Sequence, residues 1–208
     1  MITRSRSQGW RLSASVICRR IHGAHEARGA LTRSLLVLGG ARSGKSRYAQ
    51  RLAETSGHHP VLIATAEACD TEMVARIARH ASARDARWAL VEEPVALAEA
   101  LRRETRADRI VVVDCVTLWL GKLFLSGGDP LSATQDLADV IHKLEGPVIF
   151  VSNEVGGGIV PDNALARAFR DAQGLLNQAL AEACEAVVLI AAGLPLCLKP
   201  APEAKFHF

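Results

Sequence analysis

The chain has 208 residues, 49% of them hydrophobic, enough to bury a substantial core in one domain. No apolar run reaches the roughly 18 residues that a membrane helix needs, which excludes a helical span. The net charge of +3 is unevenly placed: residues 1–33 carry seven Arg against one acid, Glu26, and the remainder holds 18 basic and 21 acidic side chains. The globular part is therefore net −3, without the basic surface of a nucleic-acid binder. The Arg- and Ser-rich start has the composition of an organellar transit peptide. A disordered arm or a start assigned too far upstream accounts for it better, because no helix or strand pattern runs through it. The expected organisation is an extension, 1–33, followed by a single phosphate-loop nucleotide-binding domain, 34–208. Five cysteines, an odd number without zinc or redox spacing, read as buried thiols of a cytoplasmic protein.

In chain order, the apolar run Leu35–Leu38 predicts a buried strand, and GGARSGKS follows it. This is the pattern G-x-x-x-x-G-K-[ST], with Gly39, Gly44, Lys45 and Ser46 in register, opening a helix over 45–54. Gly-rich backbone turns successive N–H groups onto one anion, and the helix N-terminus adds partial positive charge. VLIAT (61–65) is a second buried strand, and 71–81 is a helix with Met73, Val74, Ile77 and Ala81 facing the core. Trp88–Val91 is a short strand, Pro94 opens a helix to about Thr105, and RIVVVD (109–114) is a central strand. Helices follow over 115–125 and 131–144, a strand over 148–152 and a Gly-rich loop over 153–161. A long helix from Asp162 to about Cys184 has Leu165, Phe169, Ala172, Leu176 and Ala183 inward, with Arg167, Arg170, Asp171, Gly174, Asn177 and Gln178 opposite. A last strand, 186–191, is followed by a tail from Gly193.

Strands alternating with helices specify an α/β fold whose mainly parallel sheet has helices on both faces, and with the phosphate loop the expected class is a RecA-like phosphate-loop NTPase. Ligands of such sheets bind beyond the carboxyl ends of the strands. Gly39–Ser46, Thr65, Asp114 and Ser152-Asn153-Glu154 each follow a strand and are expected to line one crevice. Lys45 would reach the β- and γ-phosphates, while Ser46 and Asp114 would hold Mg²⁺; the alternative for Asp114 is a helix cap. Arg76, His80 and Arg84 recur every four residues on one helix face. They read either as a phosphate clamp around a neutral, nucleophilic imidazole or as a solvated basic face, and spacing alone prefers the latter. Asn153 and Glu154 beside three glycines read as a ligand-contacting loop or as a flexible connection. Gly174 hints at close packing of its helix.

The stretches GGARSGKSRYAQ (39–50), IATA (63–66), Glu72 to Trp88, DCVTLWL (114–120), SNEVGGGIVP (152–161) and the series from Ala166 to Ala181 resemble the bifunctional adenosylcobinamide kinase / adenosylcobinamide-phosphate guanylyltransferases of cobalamin biosynthesis. The resemblance covers nearly everything from Leu35 to Lys199. It implies two reactions in one homotrimeric enzyme: phosphorylation of adenosylcobinamide by ATP or GTP, then GMP transfer from GTP through a guanylylated histidine. That histidine is His80, which reverses the preference for a merely solvated face. The implied nucleotide-binding set is Gly39, Gly40, Ala41, Arg42, Ser43, Gly44, Lys45, Ser46, Arg76, Arg84, Glu92 and Asp114. Asn153, Glu154, Arg167, Arg170 and Asp171 would bind substrate, and His80, Lys45 and Asp114 would be catalytic. Lys122 departs from the pattern, standing where the family usually has Asn. Two other classes share the phosphate loop and Asp114: a RecA-like ATPase that drives assembly, and a non-catalytic nucleotide-binding regulator.

Overall fold

The computed structural model describes residues 33–66 and 86–200; the predicted 71–81 helix, with Arg76, His80 and Arg84, lies outside them. Among the described residues seven strands form one sheet: β1 (Ser34–Leu38), β2 (His59–Ala64), β3 (Ala89–Glu92), β4 (Arg109–Asp114), β5 (Val148–Val151), β6 (Ala186–Ala191) and β7 (Leu194–Lys199). The described helices are α1 (Lys45–Thr55), α2 (Leu97–Glu104), α3 (Val116–Leu125), α4 (Pro130–Ile141) and α5 (Ala164–Ala183). Strand order is β3-β2-β4-β5-β1-β6-β7. All neighbours are parallel except β6 and β7. With β5 inserted between the strand that feeds the phosphate loop and the strand that ends in Asp114, this is the RecA-like arrangement of a phosphate-loop NTPase.

The pleat divides the core between two faces, because alternate residues of a strand point to opposite sides. Leu36, Ile63, Val111, Val113 and Phe150 pack on one face with Leu101, Leu120, Leu137, Leu176 and Leu180 from α2 to α5. Val37, Leu62, Val112, Ile149 and Val188 pack on the other with Tyr48, Ala49 and Ala53 of α1. Strands buried on both faces explain the unbroken apolar runs in the sequence. Pro147 brings β5 into the sheet through Gly146, where an added Cβ would lie 2.0 Å from the Arg106 carbonyl oxygen, so no larger residue fits without moving backbone. Arg33, grouped by sequence with the extension, is tied to the sheet: its carbonyl accepts from Val148 N at 2.8 Å and its N–H donates to Glu185 Oε2 at 2.7 Å.

Four expectations are corrected. Residues after Gly193 are not a tail but β7, an antiparallel edge strand. Ala192 and Gly193 both take positive φ, 51° and 79°, as a two-residue hairpin turn requires. The inward face of α5 is also rotated from the apolar stripe: Leu165 is 61% exposed, whereas Gln173 and Asn177 are buried. A Cβ at Gly174 would meet nothing within 4 Å among the described residues, so no close packing is seen there. Cys115 and Cys184 are buried thiols as expected, but Cys197 on β7 is exposed.

The end of α5 is held by Lys199, whose Nζ donates to the carbonyls of Ala181 (2.9 Å), Glu182 (2.9 Å) and Cys184 (2.6 Å). A cation there satisfies the orphan carbonyls of the last turn and opposes their negative dipole end. Lys199→Met is expected to lower unfolding free energy by about 1–3 kcal/mol, the scale of hydrogen bonds to a charged group; denaturant unfolding with an unchanged midpoint would contradict this cap. Burial pushes the Cys184 thiol up from 9.0 to about 12, with Lys199 acting in the opposite direction. A raised folded pKa means that the unfolded chain loses its proton first. The thiol's contribution to stability is therefore complete below pH 9.0 and is lost as pH rises towards 12. Thermal unfolding across that range should fall less steeply for Cys184→Ala than for the parent chain, and parallel slopes would refute the assignment.

Candidate nucleotide-binding site

The phosphate loop joins β1 to α1 at the carboxyl edge of the sheet. Gly39 has φ 150°, and a Cβ there would sit 2.4 Å from Ile190 O and 2.7 Å from Ser43 Oγ, so only Gly lets β1 pass this close to β6. Within the loop, Ser43 N donates to Gly40 O at 3.3 Å, and Arg42 takes a left-handed φ of 55°. Gly44 closes the turn at φ 101° as the N-cap of α1. Gly40, Ala41 and Arg42 are exposed, leaving the loop's rim open to a ligand. Lys45 is only 7% exposed, and its Nζ folds back over the loop to Gly40 O at 2.6 Å. The ammonium is thus kept above the backbone turn, where charge on a bound phosphate would be met.

Two neighbouring turns grip the loop. Glu154 N, after β5, donates to Gly39 O at 3.0 Å, and Gly193 N, after β6, donates to Ser43 O at 2.8 Å. Ser46 follows Lys45 in the first turn of α1. Asp114 ends β4 in phase with Ile110 and Val112, which pack on the α1 face. It stands two strand positions from β1, about 10 Å at the usual spacing. A serine hydroxyl and a carboxylate are the hard oxygen donors that Mg²⁺ takes, with phosphate oxygens completing its shell. Among the described residues no cluster of three or more metal-ligating side chains occurs, and a metal carried mainly by phosphate needs none.

The predicted crevice is only partly lined as expected. Thr65 is buried: its Oγ1 donates to Cys115 O at 2.7 Å and accepts from Cys115 N at 3.0 Å, stitching β2 to the turn after Asp114. Ser152 is buried too, its Oγ donating to Asn177 Oδ1 at 2.6 Å. Asn153 and the exposed Glu154 remain beside the phosphate loop, and Glu154 Oε1 accepts from Gly156 N at 2.7 Å. Arg167 Nη1 donates to the carbonyls of Pro161 (2.9 Å) and Asp162 (2.7 Å), so it braces the end of the Gly-rich loop. Arg170 pairs with its neighbour Asp171 at 3.0 Å. Glu92 ends β3 at the far edge, four strand positions from β1 and about 19 Å away, so the sheet does not bring it to the phosphate loop.

Sequence reasoning missed Gly193, Thr117, Gln173 and Asn177 as parts of this end of the sheet. Thr117 Oγ1 accepts from Asn153 N at 2.8 Å, and Asn177 Nδ2 donates to Asn153 O at 3.1 Å. For Thr117 the signal was its place just after Asp114; for Gly193, a turn between apolar runs. Lys45→Ala and Asp114→Asn should each reduce phosphoryl transfer from a nucleoside triphosphate to below about a tenth of the parent rate while circular dichroism stays unchanged. A folded variant above that level would remove its residue from the transfer step.

Comparison with known proteins places this geometry in context. A family model described as cobinamide kinase / cobinamide phosphate guanyltransferase matches residues 35–198. The bifunctional adenosylcobalamin biosynthesis protein CobP of Pseudomonas aeruginosa is 50% identical over 170 residues, covering 80% of this chain and 98% of that protein. The bifunctional adenosylcobalamin biosynthesis proteins CobU of Escherichia coli and Salmonella typhimurium are 37% and 36% identical, each covering 79% of this chain and 99% of its relative. No described helix is long and apolar enough to cross a membrane.

Proposed function

The chain belongs to the cobinamide kinase / cobinamide phosphate guanyltransferase family, and we propose a division of labour between its phosphate loop and His80 in the family's two reactions. As a member, it is a bifunctional transferase that phosphorylates adenosylcobinamide and then attaches GMP to the phosphate. The observation that carries the residue assignment is the buried Lys45 ammonium folded over a Gly39–Ser46 loop at the N-terminus of α1.

In the first reaction, the aminopropanol hydroxyl oxygen of adenosylcobinamide attacks the γ-phosphorus of ATP or GTP. The bond to the β-phosphate oxygen breaks, the hydroxyl proton leaves to solvent, and the nucleoside diphosphate departs. Backbone N–H groups of Gly40–Ser46 hold the phosphates, and Lys45 meets charge gathered on the β–γ bridge. Ser46 and Asp114 would hold Mg²⁺, which supplies a further positive charge to the transferring phosphate. Glu154, whose N–H bonds Gly39 O, and Asn153 before it would orient the acceptor beside the loop, with Arg167, Arg170 and Asp171 following on α5.

In the second reaction, an imidazole nitrogen of His80 attacks the α-phosphorus of GTP and pyrophosphate leaves. The phosphate oxygen of adenosylcobinamide-phosphate then attacks the same phosphorus, the P–N bond breaks and His80 is restored. Splitting the transfer avoids a direct encounter of two polyanions. Arg76 and Arg84, four residues either side in the sequence, would bind the nucleotide phosphates and disfavour imidazolium. Support for these roles comes from the matching sequence pattern, which also favours a homotrimer working in the cytoplasm.

Incubation with GTP labelled in the α-phosphate, followed by denaturation, should leave acid-labile, base-stable label on the parent chain and none on His80→Ala. His80→Ala should also lose the GDP conjugate while keeping kinase turnover. Label on another residue, or full guanylyl transfer by His80→Ala, would overturn the mechanism.

A further inference from the structure

Beneath the Gly-rich loop lies a buried polar cluster that the assignments above do not use. Ser152 and Gln173 are fully buried and Asn177 is 6% exposed. Gln173 Nε2 donates to Ser152 Oγ at 3.0 Å and to Asn177 Oδ1 at 3.0 Å, while Ser152 Oγ donates to Asn177 Oδ1 at 2.6 Å. Gln173 Oε1 is buried and has no hydrogen-bond partner among the described residues. The surrounding core, including Leu176 and Leu180 on the same helix, is apolar. Burying three polar side chains there, one with an unmet acceptor, is costly compared with apolar residues of similar volume. Stability does not explain their presence.

Their connections do. Asn177 Nδ2 donates to Asn153 O at 3.1 Å, and Asn153 N donates to Thr117 Oγ1 at 2.8 Å, so Asn153 is held through both its peptide groups. The next N–H, that of Glu154, reaches Gly39 O at 3.0 Å. Beyond it, a Cβ at Gly157 or Gly158 would meet nothing within 4 Å among the described residues, so side-chain space there is open. Order must be supplied from the root. We propose that Ser152, Gln173 and Asn177 are positioning residues, which set the Asn153–Glu154 peptide against the phosphate loop so that the corrinoid hydroxyl is presented to the γ-phosphate. This rests on the reading of Asn153 and Glu154 as acceptor-binding groups.

The test compares Ser152→Ala, Gln173→Met, Asn177→Leu and Glu154→Ala in the full chain, measuring thermal midpoint, nucleotide affinity and corrinoid-dependent kinase turnover. Gln173→Met should keep or raise the midpoint, Asn177→Leu should lower it because Ser152 Oγ, Gln173 Nε2 and Asn153 O lose a partner, and both should keep nucleotide affinity. Their kcat/KM for adenosylcobinamide should fall by about ten- to a hundred-fold, the scale of a misplaced reacting group. Ser152→Ala, the smallest change, should show the same split if the larger ones fail to fold. Wild-type corrinoid turnover per folded molecule in the cluster variants, with Glu154→Ala impaired, would overturn the positioning role alone. Normal turnover by Glu154→Ala would instead overturn the acceptor-loop reading on which it rests.

Discussion

The carboxyl end of this sheet depends on how closely backbone passes at Gly39. Because no side chain is present there, β1 comes within reach of Ile190 O and Ser43 Oγ, at distances a Cβ would violate. That approach lets the Gly39 carbonyl accept from Glu154 and the Ser43 carbonyl accept from Gly193. Turns from three adjacent strands, β5, β1 and β6, are thereby joined by backbone bonds alone. A loop gripped on both sides has little left to reorganise when an anion arrives, which is the condition for electrostatic catalysis.

The gripped loop accounts for one of the two chemistries that the chain carries. Phosphoryl transfer asks mainly for fixed donors around a polyphosphate, and the loop at α1 supplies them. Guanylyl transfer needs a nucleophile as well, and in this reading that demand falls on a different segment. The two demands meet through the substrate: the phosphate made in the first step is the acceptor of the second. In the proposed reading, tying the Asn153–Glu154 peptide to the loop serves the reaction in which the acceptor must first be placed.

Much of this was legible because buried parallel strands write themselves as apolar runs. β1, β4 and β6 and the G-x-x-x-x-G-K-[ST] turn could be read directly, as could Asp114 at a strand end. Strand order could not. Val91 and its neighbours looked like any other strand, and only the sheet shows that Glu92 sits at the edge farthest from the loop. Amphipathicity misled on α5, where Leu165 faces solvent and Gln173 and Asn177 face the core, since buried polar residues imitate a solvated stripe. β7 was hidden for a related reason: its leucines 194, 196 and 198 are exposed, and the turn before it contains Ala192, not a customary turn residue.

The central claim is that one chain carries both transfers in sequence on one corrinoid. Adenosylcobinamide, GTP and Mg²⁺ incubated with the purified chain, with every corrinoid species followed by mass spectrometry, addresses it directly. The account predicts that adenosylcobinamide-phosphate appears first and is then consumed into adenosylcobinamide-GDP, one pyrophosphate accompanying each conjugate. GTP hydrolysis with the corrinoid unchanged, or a conjugate formed without passing through the phosphate, would contradict it.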